Sequence, residues 1–336
     1  MAIERVVCNL CGADDTFLLF ECRDRLHGKD GTFSLVRCRR CRLIYLNPRP
    51  TREELVRFYP EEYEPYSQAI EDEPSTLRRF LLRYGVRRRC HTVTSRKRGG
   101  RLLDVGAATG IFLAEMAHHG DWELHGVEIN SKAARYARDR FGLRIFCGEL
   151  GKAEYPDGYF DVITLWDVLE HLPDPRSTLL EVERIVKPDG LLVLQVPDAE
   201  SLEAGIFGQF WIGLDIPRHL YVFTKGSLSS LLDHAGFIIS GIEYLATGYH
   251  TFRMSLGLVI DEKIRREEIR RGLKRALGSL PAQILTSPIF ASTRWLKRGA
   301  VMTVLARPRD GYVSLHISGE RSSNSVHPAK RHLTNV

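Results

Sequence analysis

The chain has 336 residues, 43% of them hydrophobic and 27% charged, which fits a folded globular protein and excludes a disordered one. The length exceeds what a single core needs, so one large domain with appendages is expected. Net charge is +6, and no stretch reaches the roughly 18 apolar residues of a membrane span.

Residues 1–50 carry five of the seven cysteines. The start, MAIERVVCNLCG, lacks the apolar run of a signal peptide, so a cytoplasmic location with reduced or metal-bound thiols is expected. Cys8 and Cys11 form one C-x2-C pair, and Cys38 and Cys41 form a second. Each pair aims two thiolates at one point, and two pairs complete a tetrahedral zinc site. Four thiolates leave no open position for water, so the zinc would be structural. Cys22, Cys90 and Cys147 stand apart and suggest no chemistry.

Residues 51–98 read as a helical, basic linker. Tyr59, Tyr63 and Tyr66 come first, then nine Lys or Arg without an acid between Arg78 and Arg98. Such a stripe fits a solvated helix face, or a contact with RNA, anionic lipid or an acidic substrate.

Residues 99–308 alternate short apolar runs with helical patterns, the signature of βαβ units. Strands are predicted at Leu102–Val105, Leu124–Ile129, Leu143–Phe146, Phe160–Leu165, Leu191–Val196, Phe237–Tyr244 and Val301–Ala306. Helices are predicted at Ile111–His119, Ser131–Phe141, Pro175–Val186 and Lys225–Ala235, with Ser131 as a cap. Lys187-Pro188-Asp189-Gly190 closes one helix and turns into the next strand. The expected fold is α/β: a Rossmann-like, seven-stranded, mostly parallel sheet with helices on both faces, plus a small N-terminal zinc module. An insertion at about 247–299, with a helix at Ile260–Leu280, should cap the sheet edge. Residues 309–336 lack an apolar period and should be disordered.

Asp104-Val105-Gly106-Ala107-Ala108-Thr109-Gly110 joins a strand to a helix. Small residues there let backbone approach a ligand. In open α/β sheets ligands sit at the carboxyl ends of strands. The loop is G-x-x-x-G and lacks the dinucleotide spacing G-x-G-x-x-G. Asp104 would repel a pyrophosphate and attract a cation, such as the sulfonium and ammonium of S-adenosylmethionine. Glu128, at the next strand end, can accept both ribose hydroxyls. Glu149 and Leu150 suit an adenine, one for its amino group and one for its face. Asp167 follows the fourth strand, extending a series of acids at successive strand ends.

These residues resemble the class I S-adenosylmethionine-dependent methyltransferases over about 99–245, especially small-molecule enzymes such as the ubiquinone-type O-methyltransferases. Leu103–Gly110, Gly126-Val127-Glu128, Phe160–Ile163, Leu169-Glu170-His171-Leu172-Pro173-Asp174-Pro175 and Leu180–Gly190 carry the resemblance. It implies that Gly106, Ala108 and Gly110 wrap the methionine part, Glu128 takes the ribose and Glu149 meets the adenine. The family usually has glycine where Ala108 stands and aspartate where Glu149 stands. Residues 5–66, with Leu43–Pro50, Tyr59 and Tyr63, are similar to the N-terminal zinc module of bacterial sugar and polysaccharide methyltransferases.

Methyl transfer requires an aligned acceptor and removal of its proton. His219 and His171 are the candidate bases, since histidine titrates near neutrality. Trp211 and Arg218 are candidate acceptor contacts in an aromatic-rich loop. The acceptor is expected to be a small or sugar-linked molecule methylated at oxygen. The alternatives are RNA methylation, which the basic stripe would serve, and sugar C-methylation.

Overall fold

The computed structural model describes residues 1–59, 70, 75–245 and 248–309. Tyr63, Tyr66 and the tail from residue 310 lie outside the described residues.

The first fifty residues form short antiparallel strands: β1 (Ile3–Glu4), β2 (Thr16–Cys22), β3 (Phe33–Cys38), β4 (Ile44–Leu46) and β5 (Arg49–Pro50). Alternating apolar residues line one side, and Phe33, Leu35, Tyr45 and Leu46 are fully buried. The sheet β2-β3-β4 does not end with its own segment. Its fourth strand is β11 (Tyr221–Val222), where Tyr221 pairs opposite Tyr45. The boundary at residue 50 therefore divides the sequence but not the space.

Helix α1 (Thr76–Thr94) leads into β6 (Gly99–Val105). The main sheet continues with β7 (Asp121–Glu128), β8 (Arg144–Cys147), β9 (Phe160–Trp166), β10 (Val186–Pro197), β12 (Phe237–Glu243) and β13 (Val301–Pro308). Its order is β12-β13-β10-β9-β6-β7-β8, with only β13 antiparallel to its neighbours. Helices α2 (Ile111–Met116), α3 (Ser131–Phe141), α4 (Pro175–Ile185), α5 (Leu202–Phe207) and α6 (Lys225–His234) connect the strands.

The central strands are apolar in succession because both faces are covered. Leu103, Ile163, Leu192 and Leu194 face one core, with Leu179, Val182 and Leu231. Leu102, Val162 and Val193 face the other, with Cys90, Val93, Leu113 and Ala137 from α1, α2 and α3.

Three details depart from the sequence expectation. Asn130, not Ser131, caps α3: its side chain accepts from the N–H groups of Lys132 and Ala133. The run Lys187–Gly190 is an irregularity inside β10, which already pairs with β9 at Val186. The helix expected at Ile260–Leu280 is instead split among α7 (Tyr249–Lys263), α8 (Glu267–Leu277) and α9 (Leu280–Trp295). Ile264 and Arg266 adopt extended backbone at the first break, and Glu267 and Glu268 restart the helix where acids favour its N-terminus.

Four of the nine cations in the basic stripe are held in ion pairs among the described residues. Arg87 pairs with Glu115, Arg89 with Asp167, Arg96 with Glu243 and Lys97 with Asp189.

Candidate active site

Strand order reverses at β6 and β9, and the crevice at their carboxyl ends is where an open α/β sheet takes its ligand. The loop after β6 turns through positive φ at Gly106 (75°), Ala108 (47°) and Gly110 (78°). A Cβ on Gly106 would stand 2.5 Å from a Val168 methyl, and one on Gly110 would stand 2.9 Å from the Ala137 Cβ. Both glycines are thus required by packing as well as by φ. Ala108 bears its left-handed backbone with help from Glu128, whose Oε2 accepts the Ala108 N–H at 2.8 Å. The other Glu128 oxygen accepts the Asn130 N–H at 2.7 Å. Each carboxylate oxygen keeps a lone pair for a ribose hydroxyl.

Asp104 is buried and accepts from Thr164 Oγ1 at 2.6 Å. Burial lifts its carboxyl to about 7, against the Thr164 hydrogen bond. Burial also raises Glu128. Two buried acids beside a backbone cradle suit a cationic nucleoside, because a nearby positive charge would offset the cost of ionising them.

Asp167 has a positive φ of 57° and receives Gln195 Nε2 at 3.0 Å on both oxygens. Arg89 of α1 reaches it at 2.7 Å while its guanidinium lies over the Trp166 ring. Leu150 is buried beside Glu149. Glu149 itself pairs with Arg52 at 2.5 Å, and both side chains remain well exposed. Such a pair contributes no more than about 1 kcal/mol, so the carboxylate can be released to a ligand.

The two candidate bases meet. The rings of His171 and His219 lie edge to face with centroids 4.5 Å apart. His219 Nδ1 lies 2.9 Å from the Gly213 carbonyl, and His171 Nδ1 lies 3.1 Å from the Arg218 carbonyl. A carbonyl only accepts, so each Nδ1 carries a proton and each Nε2 is left with a lone pair. Burial drives His171 down to about 3 and lowers His219 as well. Both rings are therefore neutral near pH 7.

Arg218 and Trp211 take other roles than the sequence suggested. Arg218 is completely buried, and its five N–H groups serve Asp24, Asp215 and the Phe58 carbonyl. It has no donor left for an acceptor molecule, and instead fastens the histidine loop to the N-terminal segment. Trp211 is 2% exposed and packed on Gly213, whose Cβ would collide with the indole. It supports the backbone that holds His219.

Cys8, Cys11, Cys38 and Cys41 converge, their sulfurs all within 4.8 Å of one another. Cys8 lies 3.3 Å from Cys41, and Cys11 lies 3.5 Å from Cys38. Gly12 and Arg42 close the two knuckles at positive φ, with N–H groups on the Cys8 and Cys38 carbonyls. Zinc–thiolate bonds of about 2.3 Å set tetrahedral sulfurs about 3.8 Å apart, so the four thiols fit zinc with a small expansion.

Residues that sequence reasoning did not single out complete the site. Asn9, inside the first knuckle, bonds Asp174 and the Arg176 N–H at the start of α4. Arg49 donates to the Pro173 carbonyl at 2.9 Å. Tyr59 Oη stands 3.1 Å from His171 Nδ1. Glu170 is buried with neither carboxylate oxygen hydrogen-bonded among the described residues, and burial pushes it well above the carboxylate range. All four lie in motifs quoted above, but nothing in those motifs shows which partners they take. The contacts of Asn9, Arg49 and Tyr59 span over a hundred residues and leave no local signal.

Comparison with known proteins agrees with this geometry. Residues 71–239 match a family described as a methyltransferase domain, half of the chain. The ubiquinone biosynthesis O-methyltransferase of Thiobacillus denitrificans is 31% identical over 136 residues, covering 38% of this chain and 58% of the relative. Its counterpart in Nitrosomonas europaea is 30% identical over 154 residues, covering 42% and 65%. The chain thus spans about three fifths of the length of these relatives. The solved S-adenosylmethionine-dependent methyltransferase of Mesorhizobium loti is 16% identical, covering 66% of this chain and 97% of that one, with a TM-score of 0.44. With its domain match, its glycine cradle and its ordered acids, this chain belongs to the class I S-adenosylmethionine-dependent methyltransferases.

Proposed function

We propose that the protein methylates a hydroxyl oxygen of a small or sugar-linked acceptor in the cytoplasm, with His219 as general base. The observation that carries this reading is the His219–Gly213 hydrogen bond, which fixes the tautomer and leaves Nε2 as a proton acceptor. A hydroxyl acceptor needs such a base, whereas a neutral amine already offers its lone pair. The relatives named as O-methyltransferases favour the same chemistry.

S-adenosylmethionine supplies a methyl group activated by a sulfonium. Gly106, Ala108 and Gly110 would wrap its methionine part, with Asp104 beside the positive charge. Glu128 would hold the ribose, and Glu149 and Leu150 would meet the adenine. Asp167, oriented by Gln195 and Arg89, would border the methionine end. His219 would take the acceptor proton at Nε2, and His171 would hold the neighbouring ring and receive the acceptor at its own Nε2. The four cysteines would bind one structural zinc, holding the knuckle that carries Asn9 against α4.

The test is a labelled methyl-transfer screen over sugar nucleotides, phenolic acceptors and RNA. Transfer to a hydroxylated small molecule, with kcat reduced about 10²–10⁴-fold in His219→Gln and cofactor affinity kept, is expected. Transfer only to RNA, or an unchanged kcat in the variant, would refute the proposal.

A further inference from the structure

The cap formed by α7, α8 and α9 has two unlike sides. Its inner side is fixed to the histidine loop. Ser255 Oγ accepts the Ile212 N–H at 3.0 Å, and Phe252 makes edge-to-face contacts with Phe207 and Phe290. Its outer side is open and apolar. Helix α8 buries no residue, and Ile269, Leu273 and Leu277 recur on one of its faces at helical spacing. On and just after α9, Leu285 is 81% exposed, Trp295 83% and Leu296 56%. From Leu280 to Thr293 there is no charged residue.

The charge around this surface is equally one-sided. Residues 249–299 contain eleven Lys or Arg and four Asp or Glu, a net +7 in a chain whose total is +6. Asp261 and Glu267 neutralise part of this by pairing with Arg270, Arg271 and Lys274. Arg265, Arg266 and Arg275 remain exposed.

We propose that this outer face docks on an anionic phospholipid bilayer surface. An amphipathic helix with apolar residues on one face and cations beside them lies in the plane of the headgroups. An exposed tryptophan favours that same depth. A second copy of the chain is a poor occupant, since a symmetric pairing would bring two positively charged segments together. RNA would use the cations but leave Leu285 and Leu296 in water.

The test uses the full chain with vesicles of pure phosphatidylcholine or with roughly one third phosphatidylglycerol, read by flotation and by tryptophan emission. The protein should float only with the anionic vesicles and detach as salt rises, and the emission should shift to the blue. That shift should vanish in Trp295→Phe. Each cation near an anionic surface contributes about fivefold in partition, so Arg266→Gln with Arg275→Gln should weaken binding about 25-fold. Leu285→Asp should also release the protein while leaving cofactor binding intact, which shows that the fold is kept. No flotation at low salt would overturn the proposal. So would flotation with unchanged Trp295 emission, burial of Trp295 by self-association without vesicles, or binding of RNA in place of vesicles.

Discussion

Replacing Arg218 by methionine separates a structural role from a substrate role. The guanidinium is fully buried and joins two carboxylates, Asp24 and Asp215, from distant parts of the chain. Methionine keeps the length of the side chain and removes all five donors, leaving two buried acids without their counter-charge. Breaking one side of such a buried pair costs about 3–5 kcal/mol. For 336 residues that corresponds to a fall in Tm of about 4–7 °C. Thermal unfolding at pH 7 measures it directly. Adding Asp24→Asn and Asp215→Asn should restore much of the loss, because the stranded charges are then gone. The pH dependence has a definite sign. Burial raises both acids, but Arg218 outweighs it, holding Asp24 and Asp215 below the ordinary carboxylate value. Their contribution is complete above the unfolded value of about 3.9 and is lost as pH falls through the folded values. Without Arg218 the stranded acids protonate more readily, so the gap between wild type and variant should narrow as pH falls from 7 and close below about pH 4. A variant that melts with the wild type and shows only a raised acceptor KM would refute the structural reading.

Three further outcomes follow from the same geometry. Glu128→Ala removes the partner of two loop N–H groups and of the proposed ribose hydroxyls, so S-adenosylmethionine affinity should fall at least about 10²-fold by calorimetry. Asp104 has a carboxyl lifted to about 7, and a bound cation should lower it again. Binding then releases a proton, and affinity should rise with pH up to about 7 and level off above. An affinity flat between pH 5 and about 7 would break that link. Purified protein should contain about one zinc per chain, and Cys38→Ser should release it and reduce kcat more than it weakens cofactor binding, since the knuckle clasps α4. Well-folded protein that retains no metal would count against the site.

The main sheet was legible because its strands are short, apolar and bounded by glycine, aspartate and proline. All seven predicted strands coincide with observed ones to within a few residues. The cysteine pairs were legible for a different reason: their spacing is local. The histidine site was legible only in part. His171 and His219 stand out as residues, but the carbonyls of Gly213 and Arg218 that fix their tautomers are backbone groups with no sequence signature. The burial of Arg218 has no local signature: a charged residue in a loop reads as exposed, and its partner Asp24 is almost two hundred positions away. Ile260–Leu280 has a continuous helical composition, although the chain divides it among three helices. The break at Ile264 is followed by Glu267 and Glu268, acids placed where they favour a new helix start.

The pairing of β4 with β11 gives the chain a built-in order of assembly. When the amino-terminal strands leave the ribosome, β4 can pair with β3 on one edge, but its other edge has no partner, because Tyr221 has not been made. At ordinary synthesis rates the wait is on the order of ten to thirty seconds. An open edge of that kind is a template for wrong partners. The four cysteines lie within residues 8–41, so all are made long before β11. Zinc bound by these four thiols would tie the start of β2 to the end of β3 through the interval in which that edge stands open.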